Sequence, residues 1–440
     1  MMMVRKRGQY MINENFPQVV IMAGGLGTRI SSINSEVPKP MIPINDFPIL
    51  YYQIENLKRF ELKDIVLVVG YKAEKICEYF GDGSKFGVSI KYVIENKPLG
   101  TAGSFYYLKK LIKTKSFILL NGDIIFNIDF NRFIEYYNNH NVKACICTHP
   151  NSHPFDSSLI ETDKNGIVTN WYGKDERPEY YQNQVNAGIH ILSTELLYNI
   201  LKPEKHNLDS EILKPLVKTG NLLAYDTPEY IKDMGTPERY YQVVSDINNG
   251  VMQNKNLSLK QKAVFLDRDG TINKYVGFLK DIGDFELLPN VSNAIKLLNR
   301  LGYLVIVVTN QPVIARGDIT ESELKNIHNK METLLGKDGA YVDAIYYCPH
   351  HPDSGYPGEI KELKIRCHCR KPDIGLVEQA QIDFNIDINN SFVIGDSDND
   401  MLLANNLNIP FYKVDYENDL LRCVERRIKD EKSKSLRKSN

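Results

Sequence analysis

The sequence predicts an α/β chain made of two doubly wound domains, and three observations carry that reading. Two segments open alike, with a β-branched run that ends in small or acidic residues: Val19-Val20-Ile21-Met22-Ala23-Gly24-Gly25 and Ala263-Val264-Phe265-Leu266-Asp267-Arg268-Asp269. Each has the composition of a first strand buried on both faces. After each, short apolar runs alternate with stretches of helical periodicity, the pattern of parallel strands joined by crossover helices. A length of 440 residues also exceeds one domain at roughly 100–200 residues each.

Taken in order, the first unit places buried strands at 65–69, 90–94, 117–120 and 144–148, with helices at 49–60 and 73–80 among them. That alternation predicts a parallel sheet in a domain over 17–248. Asn248-Asn249-Gly250 and the polar stretch after it lack apolar periodicity, so residues 249–260 read as a linker. The second unit repeats the layout over 261–415, with strands at 263–266, 304–308, 344–348 and 392–394 and helices at 291–300 and 321–335. Residues 416–440 are rich in Lys, Arg and Ser and read as a solvated, fraying basic tail.

Composition narrows the function. With 54 Lys and Arg against 55 Asp and Glu the net charge is −1, which argues against a nucleic-acid-binding surface. The longest apolar runs, 65–69 and 303–308, fall far short of the roughly 18 residues of a membrane span. Arg5-Lys6-Arg7 is not followed by the apolar core of a secretory signal. The expectation is a cytosolic protein with no nucleic-acid and no membrane partner; homo-oligomerisation is left open. Seven cysteines are too sparse for a disulfide scaffold, and Cys77, Cys145, Cys147 and Cys423 carry no metal-binding spacing.

The first chemical motif is Gly24-Gly25-Leu26-Gly27-Thr28-Arg29. Its glycines let backbone N–H groups approach phosphate oxygens with no Cβ in the way. It is neither a Walker A loop nor a dinucleotide fingerprint, since Ile30 holds the last position. Arg29 and Lys39, the latter between Pro38 and Pro40, add cations that neutralise charge building on a phosphorus under attack. These paired motifs resemble the sugar-phosphate nucleotidyltransferases, and the likeness runs through most of 17–245. The resemblance implies a Rossmann-like, glycosyltransferase-A-like fold in which a sugar 1-phosphate attacks the α-phosphorus of a nucleoside triphosphate and expels pyrophosphate. Gly24, Gly25, Gly27 and Thr28 would hold the nucleotide. Mg²⁺ is expected on Asp123, in Asn121-Gly122-Asp123, and on Asp233, in Lys232-Asp233-Met234-Gly235-Thr236, because a hard cation wants carboxylate oxygens. Glu161, Lys174, Asn186 and Gly188 match the family's sugar and sugar-phosphate contacts, although Gly173-Lys174-Asp175 departs from the usual Glu-Lys-Pro. Glu95 with Pro98-Leu99-Gly100-Thr101-Ala102-Gly103 resembles the guanylyltransferase branch, which takes heptose 1-phosphate or mannose 1-phosphate. Guanine offers a carboxylate adjacent N–H donors, so GTP is the expected nucleotide; backbone groups are the alternative reader of the base.

In the second motif, Asp267-Arg268-Asp269-Gly270-Thr271, two carboxylates two residues apart on a strand point to one side. This resembles the haloacid dehalogenase-like phosphatases over 261–412. The resemblance implies Asp267 as nucleophile, Asp269 as proton carrier, Thr309 with Asn310 and Gln311 at the second strand end, Lys371 as the cation and Asp396 with Asp267 and Asp269 on Mg²⁺. Asp400 would join that shell or orient it. Cys348-Pro349-His350 and Cys367-His368-Cys369 supply four ligands for a closed, structural Zn²⁺ site. His351 and His368 are rivals in principle; the resemblance picks His350. The zinc-loop group includes heptose 1,7-bisphosphate 7-phosphatases and histidinol-phosphate phosphatases, and Ile345–Pro352 with Ile314-Ala315-Arg316-Gly317 resembles the heptose branch. Arg316 and Arg370 would grip substrate phosphate, a surface role being the plain alternative for Arg316. Pro312-Val313 and Ser397 depart from the family pattern. Too few residues follow Asp269 before the next strand for a large helical cap.

Together the halves predict a bifunctional enzyme of GDP-heptose biosynthesis. The phosphatase would leave a heptose 1-phosphate that the transferase joins to GTP. The alternatives are a mannose 1-phosphate guanylyltransferase fused to another phosphatase and a nucleotide-sugar sensor without turnover.

Overall fold

The computed structural model describes residues 16–25, 33, 34 and 36–438, with side chains to residue 433. In the first unit β1 (Gln18–Ala23), β2 (Asp64–Val69), β3 (Ser89–Ile94) and β4 (Ser116–Asn121) pair in parallel in the order β3-β2-β1-β4. Helices α1 (Ile49–Arg59) and α2 (Ala73–Phe80) make crossovers. Alternate β1 residues enter two cores, Val19 and Ile21 one and Val20 the other, as expected of a strand covered on both faces.

The expected all-parallel sheet is corrected beyond β4. After β5 (Ile124–Asn127) and α3 (Phe130–Asn138) come β6 (Ala144–His149), β7 (Leu159–Thr162), β8 (Val168–Tyr172), β9 (Val185–Ser193), β10 (Leu222–Asp226) and β11 (Tyr230–Asp233). Strand β9 runs antiparallel to β4 and β6, and the β7–β8 hairpin extends the edge, so this nine-stranded sheet is mixed. A buried apolar run shows that a strand is covered on both faces and leaves its direction open. Cys145 and Cys147 lie buried along β6. Strands β5 and β11 form a separate antiparallel ribbon, followed by α4 (Pro237–Asn248), which Thr236 caps.

The second unit is a five-stranded parallel sheet in the order β14-β13-β12-β15-β16, from β12 (Ala263–Leu266), β13 (Leu304–Asn310), β14 (Ala344–Cys348), β15 (Phe392–Gly395) and β16 (Phe411–Lys413). Its helices are α5 (Val291–Arg300), α6 (Glu321–Lys337), α7 (Gly375–Phe384), α8 (Asp398–Leu407) and α9 (Leu420–Lys438). Helix α5 buries Val291, Ala294, Ile295 and Leu298, the i, i+3, i+4, i+7 stripe of a core-facing helix. Between Asp269 and α5 there is only a loop with one 3-10 turn, Ile282–Asp284; the expected absence of a helical cap there agrees with the fold.

Two boundary expectations give way to packing. Residues 249–260 include a helical turn, Val251–Asn254, and bury Met252, Lys255, Asn256 and Leu257. Each buried polar group has a partner: Lys255 Nζ lies 3.3 Å from Asp343 Oδ1, and the Asn256 amide donates to Asn127 Oδ1 at 3.1 Å. The expected fraying tail begins as helix α9, with Leu420, Cys423 and Val424 buried in the second core and Leu421 and Ile428 beside them. Apolar residues at helical spacing are hidden there among many charges.

The two halves are docked rather than merely tethered. Thr333 Oγ1 accepts from the Tyr181 N–H at 2.9 Å, Arg132 donates to the Asp383 carbonyl at 2.9 Å, and Lys325 of α6 pairs with Glu161 at 2.9 Å. No helix of the described residues is long and apolar enough to cross a membrane.

Candidate active sites

The first site collects where β1 and β4 end, the crevice that parallel strands leave at their carboxyl ends. Gly24 leads out of β1, and a Cβ there would stand 3.2 Å from Glu95 Oε2. Burial holds the Glu95 carboxyl above its ordinary range, opposed by the Leu99 N–H. Its Oε1 is buried with no hydrogen-bond partner among the described residues. Gly27, Thr28 and Arg29 lie outside the described residues.

The Asn121-Gly122-Asp123 turn is tightly fixed. The Gly122 N–H donates to the Met22 carbonyl at 3.0 Å, and a Cβ on Gly122 would meet that oxygen at 2.7 Å. Gln53 of α1, which sequence reading missed, donates to the carbonyls of Asn121 and Ile124 at 2.9 and 2.8 Å. The turn presents Asp123 to Lys39, Nζ to Oδ2 2.6 Å. Asp233 ends β11 opposite Ile124, and the Met234 N–H donates to the Asp123 carbonyl at 3.1 Å, so both predicted metal aspartates reach one end of the ribbon. Arg239, also missed, donates from Nη1 to both Asp233 oxygens at 2.8 and 2.9 Å and continues to Asp156 and His153. Asn186 Oδ1 accepts from the Gly188 N–H at 3.2 Å; Gly188, at φ +74°, leaves room for Asn121, whose Nδ2 a Cβ would approach to 2.5 Å.

Three of the expected contact residues are otherwise engaged, and a fourth is exposed. Thr101 Oγ1 accepts from the Leu208 N–H at 2.7 Å and Gly100 bridges to His206, so both fasten a loop. Lys174 is exposed. Glu161 faces α6, accepting from Lys325, Asn170 and Tyr172 at 2.9, 2.9 and 3.0 Å.

The second site lies at the ends of β12, β13 and β15. Lys371, buried, reaches Asp267 Oδ1 and Asp400 Oδ1, both at 2.6 Å. Burial alone would lower the Lys371 pKa, but the two carboxylates hold it above its ordinary value. Burial pushes Asp267 up to about 7, Lys371 pulls against it, and Asp400 adds to the rise. Asp400 Oδ2 accepts from the Ser397 N–H at 3.1 Å, one half of a capping box on α8, and from Ser397 Oγ at 2.5 Å. Ligand oxygens of Asp267, Asp396 and Asp400 lie within 4.8 Å of one another, a donor set that suits a hard divalent cation. Gly270, at φ +89°, admits Asp396: a Cβ would stand 2.1 Å from its Oδ2.

Asp269 is oriented by neighbours the motif concealed. Arg268, fully buried, donates to both its oxygens at 2.7 and 2.9 Å and is backed by His328 Nε2 at 3.1 Å. Asn273 and Gln311 add bonds at 3.0 and 2.8 Å. Thr309 is buried and accepts from Gln311 at 3.0 Å. The Asn310 amide clamps the Lys371 backbone at 2.9 and 3.0 Å, a positioning bond. Arg316 pairs with Asp318 at 2.7 Å, its guanidinium 4.3 Å from the Phe278 ring centroid, and Arg370 donates to the His350 carbonyl at 3.1 Å.

Cys348, His350, Cys367 and Cys369 converge: the three Sγ atoms lie 3.3–3.5 Å apart, and His350 Nδ1 lies 3.6 and 3.2 Å from the sulfurs of Cys348 and Cys369. Tetrahedral bonds of about 2.3 Å put ligand atoms roughly 3.8 Å apart, so this set fits one metal ion with little movement. The rivals are elsewhere: His368 Nε2 meets Glu378 at 2.6 Å, and His351 Nδ1 accepts from the Asp353 N–H at 3.1 Å.

Comparison with known proteins agrees with this division. Residues 18–250 match the family described as Nucleotidyl transferase, and 262–423 match that described as Polynucleotide kinase 3 phosphatase. A D-glycero-alpha-D-manno-heptose 1-phosphate guanylyltransferase of Campylobacter jejuni is 35% identical over 233 residues, 53% of this chain and 100% of that protein. A D-glycero-beta-D-manno-heptose-1,7-bisphosphate 7-phosphatase of Haemophilus ducreyi is 43% identical over 145 residues, 33% of this chain and 77% of that protein. The crystal structure of HddC from Yersinia pseudotuberculosis complexed with GMP-PN is 30% identical, covering 53% of this chain and 100% of that one, with a TM-score of 0.46.

Proposed function

The chain belongs to the nucleotidyl transferase family through residues 18–250 and is related through its second half to heptose-bisphosphate phosphatases, and from that premise we propose a bifunctional enzyme that makes GDP-heptose. It removes the 7-phosphate of D-glycero-D-manno-heptose 1,7-bisphosphate and transfers a guanylyl group from GTP to the heptose 1-phosphate that remains. The observation that carries the reading is the presence on one chain of a Lys39–Asp123 site and a Lys371–Asp267 site, both built for phosphorus chemistry.

In the phosphatase half, Asp267 attacks the 7-phosphate and forms an aspartyl phosphate while Asp269 protonates the departing sugar oxygen. Asp269 then takes a proton from the water that releases phosphate. Lys371 offsets charge on the transferring group, and Arg268 holds Asp269 in place. In the transferase half, Lys39 offsets charge on the α-phosphate, and Glu95 accepts from the guanine N–H edge. Mg²⁺ on Asp123 and Asp233, and on Asp267 and Asp396, would screen the repulsion between nucleophile and phosphate. Zn²⁺ on the cysteine–histidine set, with four protein ligands, would be structural.

The two relatives are named for opposite anomers, alpha for the transferase and beta for the phosphatase. A chain that passes its product between its sites uses one anomer, so the test supplies both. Full-length protein is mixed with Mg²⁺, GTP and each heptose 1,7-bisphosphate anomer, and phosphate, pyrophosphate and nucleotide sugar are followed by mass spectrometry. GDP-heptose from one anomer, replaced by stranded heptose 1-phosphate in Asp123→Ala, is the expected result. Phosphate release with no nucleotide sugar from either anomer or any nucleotide refutes the transferase reading.

A further inference from the structure

A cavity of about 310 Å³ lies between the two halves, with Asn186, Asp233 and Arg239 on the transferase wall and Lys296, Asn299 and Arg300 of α5 on the opposite wall. The second wall is anchored: the Asn299 amide donates to the Tyr341 carbonyl at 3.0 Å and accepts from the Tyr341 N–H at 3.2 Å. The cavity's other cations are already matched, Lys232 to Asp246 at 3.0 Å, Lys255 to Asp343 at 3.3 Å and Arg239 to Asp233 at 2.8 Å. Lys296 and Arg300 make no ion pair with any described residue. Two unmatched cations facing a partly enclosed space that already holds a predicted metal aspartate favour an anionic, hydroxyl-rich ligand. A phosphate oxygen set satisfies both an ammonium and a guanidinium.

We propose that Lys296 and Arg300, contributed by the phosphatase half, complete the sugar-phosphate site of the transferase half and grip a phosphorylated sugar there. This rests on the function proposed above. The wall is particular to the fused chain, since the Campylobacter relative is matched over its whole length by 233 residues of the N-terminal half. The phosphatase half thus supplies substrate-binding groups to its neighbour as well as substrate.

The test compares Lys296→Ala/Arg300→Ala with Arg426→Ala/Lys429→Ala, which removes the same charge from exposed positions of α9. Full-length proteins are used, in an Asp267→Asn background so that the second site does not consume the bisphosphate. Calorimetric titrations with heptose 1-phosphate, heptose 1,7-bisphosphate and inorganic phosphate are run beside transferase kinetics. The expected result is a rise of about tenfold in KM and Kd for heptose 1-phosphate in the α5 variant, the size of one or two lost charge-assisted contacts, with KM for GTP unchanged and the α9 variant like its parent. A larger loss for the bisphosphate would assign the cations to the 7-phosphate. Equal sugar-phosphate constants in parent and α5 variant overturn the proposal. Loss confined to inorganic phosphate overturns the sugar assignment. A parent protein that binds heptose 1-phosphate through these residues and never turns it over refutes the functional reading and leaves the site standing.

Discussion

Gly270→Ala offers a sharp test of the second site, because two independent costs fall on one methyl group. The residue sits at φ +89°, and a Cβ would lie 2.1 Å from Asp396 Oδ2, 2.5 Å from its Cγ. Contacts below 3.0 Å are essentially never observed, so the Asp396 carboxylate must retreat by about 0.9 Å or the turn must open. The backbone strain costs about 1–3 kcal/mol. A misplacement of about 1 Å in catalytic geometry costs on the order of 10²-fold in rate. Phosphate release from heptose 1,7-bisphosphate should fall about 10²-fold and need more Mg²⁺ for half-maximal rate, while guanylyl transfer to supplied heptose 1-phosphate stays unchanged in the same preparation. Phosphate release within threefold of wild type would refute the argument that Gly270 exists to admit Asp396.

Other perturbations reach other parts of the molecule. Lys255→Met leaves Asp343, wholly buried and still bonded to the Val305 N–H, without its cation; the loss should be about 3–5 kcal/mol in denaturant unfolding, and under 1 kcal/mol would mean the pair contributes little. Glu332 of α6 is pushed up to about 8 by burial first and then by Asp226, so the folded state holds its proton more tightly than the unfolded chain at about 4.3. Its stabilising contribution is full below about pH 4.3 and is lost as pH rises through 8. Glu332→Gln should therefore melt higher than wild type at pH 8.5, the gap closing towards pH 5; parallel melting curves would refute this. The wild-type chain should carry one zinc ion by mass spectrometry, and Cys369→Ser should lower that content and impair phosphate release before guanylyl transfer; full metal occupancy in that variant would exclude the cysteine–histidine set as the site.

What was legible in the sequence were the parts whose chemistry is local. Helices Ala73–Phe80 and Val291–Arg300 and strand Ala344–Cys348 stand where periodicity and buried runs place them, and the cysteine–histidine spacing closed into one cluster. What was not legible depends on distant partners. Arg268 reads as a spacer between two aspartates, yet it is fully buried against Asp269 and His328, 60 residues away. Arg239 lies in an ordinary first helical turn until folding sets it on Asp233. The mixed sheet, the buried junction at 249–260 and Lys325 on Glu161 are tertiary facts of the same kind. The signals that existed were faint: an arginine two residues past an apolar strand, and Leu420, Leu421, Val424 and Ile428 at helical spacing within a basic stretch.

Both sites solve one electrostatic problem in the same way. Carboxylates set to hold a divalent cation, as proposed for both sites, repel one another, and in the second site the burial of Asp267 and Asp400 makes their charge harder to bear. In each site a basic side chain already stands at hydrogen-bond distance: Lys39 on Asp123, Arg239 on Asp233, and Lys371 between Asp267 and Asp400. Such a pairing offsets that repulsion and aims the carboxylates before substrate arrives. The same logic explains why Lys296 and Arg300 stand out: every other cation of the inter-half cavity named above is held by an acid, and these two are left for a ligand that brings its own negative charge.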